Sequence, residues 1–151
     1  MSFSYKIEPE WNILKNIKES IENDPAITSR GPDFLDATRM TALELTENAL
    51  KYSDRSHPVE ISLDLSGKEC VIRITNNCNN PDMIEALFKM LKKLKEGDPF
   101  ELYVDRLQQL KDHPDGYSRM GMLRIVYEGE FKLDGEIDGD RVTLTARRDL
   151  N

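Results

Sequence analysis

Thr41, Glu44, Asn48 and Lys51 recur at spacings of three and four residues. On a helix that spacing places them on one face. They bring an acid, an amide and a base together, the groups needed to hold a metal-bound phosphate. Leu45, Ala49 and Tyr52 form a neighbouring apolar face, so the polar stripe runs beside a core. The plain alternative is a solvated helix face, on which Glu47 and Lys51 make an i,i+4 pair worth only ~0.3–0.5 kcal/mol.

The helix that carries the stripe is expected over about residues 32 to 53, opened by Pro32 at its first turn and closed by the break Ser53-Asp-Arg-Ser-His-Pro58. Ahead of it, Phe3 to Ile7 alternates as a short strand. Pro9 then suits a helix start, and Ile13, Leu14, Ile17 and Ile21 form an apolar stripe. Asn23-Asp24-Pro25 reads as the end of that helix, and Ser29 to Pro32 as a loop. Val59 to Leu65 alternates strictly, and Cys70 to Thr75 follows a Ser66-Gly67-Lys68 turn, which predicts a hairpin. Two amphipathic helices are expected across about residues 81 to 112, the first started by Asn80-Pro81 and the second by Asp98-Pro99 with Glu101. Ser118 to Val126 reads as a further short helix. Glu130 to Ile137 and Arg141 to Arg147 flank Asp138-Gly139, a strong hairpin signal. The order implies an α+β two-layer sandwich, with helices packed on one face of a mostly antiparallel sheet.

The 151 residues predict one domain over 1–151, with 38% hydrophobic and 32% charged residues as in ordinary globular proteins. A net charge of -7 argues against a general nucleic-acid binder, whose phosphate contacts need a basic surface. It argues equally against anionic membranes, and no apolar run approaches the roughly 20 residues of a span. The N-terminal residues carry no secretory pattern, so a cytoplasmic location is expected. Two cysteines and two isolated histidines make neither a disulfide framework nor a metal ligand set. Cys70 and Cys78 are expected to be inert.

Glu44-Leu-Thr-Glu-Asn48-Ala, followed by Lys51-Tyr52, resembles the N-box of the GHKL (histidine-kinase-like) ATPases, whose sandwich is called the Bergerat fold. The element order and length resemble the anti-sigma-factor serine kinases of that family. The resemblance implies that Asn48 binds the magnesium ion bridging the ATP phosphates. It makes Glu44 the catalytic base and places Lys51 and Tyr52 near phosphate. Asn76 falls where the family has an aspartate that recognises adenine, within Asn76-Asn77-Cys78-Asn79-Asn80, which lacks the glycines of that box. Ser118-Arg-Met-Gly-Met-Leu-Arg-Ile125 aligns with a second glycine box, keeping Gly121 and placing Arg119 where a glycine is usual. The 81–112 helices occupy the position of the ATP lid.

Two functions follow from the resemblance. One is a serine/threonine protein kinase of the anti-sigma type using Mg-ATP. The other is a non-catalytic module on the same fold that docks a partner. In either case the implied partner is an anti-anti-sigma-like or sigma-factor-like protein, and a homodimer is a further expectation.

Overall fold

In the computed structural model, residues 2–7, 13–98, 100–102, 104, 105, 108 and 120–150 are described. Strand β1 (Ser2–Ile7) leads into helices α1 (Ile13–Glu22), α2 (Pro25–Thr28) and α3 (Pro32–Tyr52). Strands β2 (Val59–Ser66) and β3 (Glu69–Asn77) follow, then α4 (Pro81–Glu96) and α5 (Met120–Tyr127). Strands β4 (Lys132–Asp138) and β5 (Arg141–Asp149) close the chain. All strand pairs are antiparallel, in the order β1-β2-β3-β5-β4. The expected α+β layering is what forms.

Period-2 alternation builds the buried face of the sheet. Ile61 pairs with Ile74, Leu63 with Ile72, and Ile72 and Ile74 in turn with Ala146 and Leu144. All six are buried. Helix α3 packs on β2 and β3, with α1 and α5 on its flanks, while α4 and α5 reach β4. The opposite face carries Ser62, Arg73, Thr75, Thr143 and Thr145, which is the polar outer side that an antiparallel sheet tolerates.

Turn chemistry explains the joints. Asp138 and Arg141 are register partners across a two-residue loop in which Gly139 has φ 61°, a conformation that glycine adopts without a steric cost. The expected end of α1 at Asn23-Asp24-Pro25 needs one correction. The Asp24 carboxylate accepts the Ala26 N–H at 2.9 Å and starts the four-residue α2, so the same residues that end one helix cap another. The first helix of the 81–112 segment begins as expected, with the Asn80 side chain accepting from Asp82 and Met83. Its Leu91 and Leu94 join the core. Much of the second lies outside the described residues.

Strand β4 is an edge, and its middle is closed by side chains. The Asp134 carboxylate accepts its neighbour Gly135's N–H at 3.1 Å and pairs with Lys95 of α4 at 2.6 Å. The hydrogen bond from Lys95 holds the Asp134 carboxyl below the usual carboxylate range. Charged side chains of this kind blunt an edge against further pairing.

Helix α3 also buries two hydroxyls without partners. Thr38 and Thr41 are both 0% exposed, and neither Oγ1 has a hydrogen bond. Thr46, buried on the same helix, donates to the Ala42 carbonyl at 2.7 Å. An unpartnered buried polar group costs about 1–3 kcal/mol. Thr38→Val, nearly isosteric, is therefore expected to raise the unfolding free energy by about 1 kcal/mol, whereas Thr46→Val brings no gain. Urea unfolding of the two variants measures the contrast, and equal effects would refute it.

Candidate functional site

The polar stripe of α3 divides between two places. Thr41, which the spacing groups with the polar stripe, is wholly buried. Glu44 and Asn48 are half-buried and Lys51 is exposed. Glu44 lines an open groove, while Asn48 lines a separate small cavity; among the described residues these two lie apart.

The cavity at Asn48 gathers Tyr52 and Asn76 from the expected set, with Met83, Ile84 and Leu87 of α4 on its wall. Asn76 reaches it through strand alternation. It is the register partner of Val142 and is itself 7% exposed, on the core side of the sheet. The neighbouring Asn77 is held by the Arg141 guanidinium, which donates to its Oδ1. The cavity measures about 20 Å³, room for about one water. As packed, this cavity has no room for a nucleotide.

The groove on the other side of the stripe is much larger, about 700 Å³. Asp33, Asp36, Glu44, Glu47, Glu128 and Glu130 line it against Arg39, Arg124 and Arg148, with Ala37, Met40 and Leu43 as its apolar part. Arg124 of α5 bridges Glu44 at 3.1 Å and Glu128 at 3.1 Å. Arg39 holds Asp36 at 2.6 Å and Glu22 at 3.1 Å. Arg148 holds Glu130 at 3.4 Å and donates to the Gly129 carbonyl at 2.9 Å. Gly121 sits against the same acid: a Cβ there would displace the Glu44 carboxylate from its present position. Arg119, named with it from the sequence, lies outside the described residues.

Burial raises the Glu44 pKa, the nearby Glu47 raises it further, and Arg124 and Lys51 oppose both. The folded state therefore binds this proton more tightly than the unfolded chain does. Stability from Glu44 grows as pH falls from the raised value toward the ordinary glutamate value, and is lost as pH rises through the raised value. Relative to Glu44→Gln, the wild-type chain is expected to gain stability as the medium is acidified over that window. Urea midpoints at paired pH values check it, and a gain in the opposite direction would refute the sign.

Sequence reasoning did not find Arg124 or Arg148, whereas the 81–112 segment, expected beside the pocket, does wall the Asn48 cavity with Met83, Ile84 and Leu87. The only local signal was the Arg124–Glu128 spacing of four, which says nothing of Glu44. Cys70 is buried, which pushes its thiol up to about 12, and Cys78 is buried as well. Among the described residues no helix is long and apolar enough to cross a membrane.

No family model matches the chain, and no curated protein matches it either. Its fold does have a solved counterpart. A chain in the crystal structure of the SiaB–SiaC complex from Pseudomonas aeruginosa superposes with a TM-score of 0.71, covering 99% of this chain and 89% of that one. The identity is 14%, so the likeness is one of fold.

These findings correct the resemblance to the GHKL ATPases. The fold match is to a chain of the SiaB–SiaC complex, and no family model supports the histidine-kinase-like reading. The physical reason the motif misleads is its shortness. An acid, an asparagine and a lysine on an amphipathic helix also arise where the acid serves an ion pair, as Glu44 does with Arg124, and where the asparagine borders a small cavity, as Asn48 does.

Proposed function

We propose that this protein is a bacterial signalling regulator that works by binding a partner protein, without turning over ATP. The observation that carries the reading is the fold likeness, over nearly the whole chain, to a subunit solved inside a two-protein complex. The packing at Asn48 supports it, because the cavity there, walled in part by α4, is too small for a nucleotide. The charged groove along α3 adds a broad accessible surface with an apolar part. The partner is taken to be a small signalling protein of the anti-anti-sigma-like or sigma-factor-like kind.

Calorimetric titration with ATP or ADP and magnesium is the first test. No binding is expected up to millimolar nucleotide. Binding at micromolar nucleotide, or release of ADP with phosphorylation of a second protein, would overturn the reading in favour of a kinase. The second test reconstitutes the complex from purified components. A stoichiometric complex with an anti-anti-sigma-like or sigma-factor-like protein, formed without nucleotide, is the expected result.

A further inference from the structure

The sheet sets two cations side by side at its β4 corner. Lys132 of β4 and Arg147 of β5 are register partners, so their side chains leave the same face. The next pair, Leu133 and Ala146, is buried beneath the helices, which puts Lys132 and Arg147 on the other face. Like charges directly opposite across two strands work against the pairing. The carboxylates nearby compensate only in part, Asp134 being shared between Lys95 and the field of Arg147. Glu69 stands 3.9 Å from Arg147, and Asp134 is taken by Lys95 at 2.6 Å. In a chain with net charge -7, this corner is locally basic.

The corner is also hollow. A cavity of about 410 Å³ lies there, walled by Leu94, Val126, Phe131 and Leu133 together with Lys95, Lys132, Asp134 and Arg147. Small-molecule sites typically measure about 300–1,000 Å³ and are apolar, with a few convergent polar groups. Both conditions are met, and the cavity shares no lining residue with the α3 groove.

We propose that this cavity binds a small amphipathic anion. Its apolar body passes around the β4 edge to lie over Leu94, Val126, Phe131 and Leu133 on the helix side of the sheet. Its anionic head sits on Lys132 and Arg147, where it relieves the cross-strand repulsion. The inference stands independently of partner binding, and such a site would give the protein a small-molecule input separate from the α3 groove.

Decanoate is the probe, titrated by calorimetry below its aggregation concentration. Decanol and decyltrimethylammonium carry the same chain without the negative charge, and acetate carries the head without the chain. One decanoate per chain is expected, with all three controls weaker. Both cations are exposed, so their variants are expected to fold, which a thermal melt confirms. Lys132→Ala and Arg147→Ala should each weaken decanoate on the order of fivefold, and the Lys132→Glu, Arg147→Glu double variant should abolish binding. Absence of saturable decanoate binding, equal binding of decyltrimethylammonium or acetate, or unchanged affinity in both alanine variants would overturn the proposal.

Discussion

Leu45→Ala is expected to lower the unfolding free energy by about 2–5 kcal/mol, the cost of truncating a fully buried leucine and leaving part of its volume empty. Leu45 is 0% exposed on α3, the helix that touches β2, β3, α1, α2 and α5. A void there removes contacts from a residue at the junction of the helical layer and the sheet, and the surrounding rigid elements collapse onto it only partly. Small domains are stable by roughly 5–15 kcal/mol in all, so the loss is a large share. Urea unfolding should show a lower midpoint with an unchanged slope. Leu43→Ala, at a partly buried position beside the groove, is the control and should cost distinctly less. Equal losses for the two variants would mean that α3 does not hold the core as described.

Gly135→Val is the second large effect, and it reaches the candidate site. A Cβ at Gly135 would stand 2.5 Å from Leu91 Cδ1 and 3.2 Å from Leu144 Cδ2. Leu91 and Leu144 are each 4% exposed, so neither has free space to move into. Overpacking of this kind costs about 1–3 kcal/mol, and the element able to yield is α4, since Leu144 is anchored in a central strand. Amide exchange should quicken along α4 while β3 and β5 keep their protection. Uniform quickening would show instead that α4 and the sheet open as one unit. Because Met83, Ile84 and Leu87 of the same helix wall the Asn48 cavity, loosening α4 should also enlarge that cavity. Nucleotide titration of this variant therefore asks whether the residues around Asn48 can accept ATP once the helix gives way.

Much of the fold was legible because its signals are local. The hairpins follow from strict alternation around Gly67 and Gly139, and α3 from Pro32 and its apolar face. The short α2 was not, because Asp24-Pro25 serves equally well as a stop and as a start. The candidate site was legible only as a list of residues. Glu44 meets Arg124 across eighty positions, and β3 meets β5 with α4, α5 and β4 between them in the chain, so no local spacing could announce either. Thr41 shows the limit most plainly. Its spacing puts it with Glu44, yet the close approach of Gly129, whose added Cβ would lie 3.0 Å from Thr41 Oγ1, takes it out of solvent. Helical periodicity gives an angle around an axis, while the neighbouring element decides where solvent ends.

The shutter that Lys95 and Asp134 form over β4 also limits the ways this molecule can grow. With the Gly135 N–H already taken by a carboxylate, an incoming strand finds no continuous row of free backbone groups at that edge, so the sheet is a poor template for extension past β4. Assembly with another protein at the β4 side is thereby steered toward contact between side-chain surfaces, whose strength and specificity can be tuned one residue at a time. A hydrogen-bonded sheet edge offers much less choice, since its backbone groups are the same whatever the sequence.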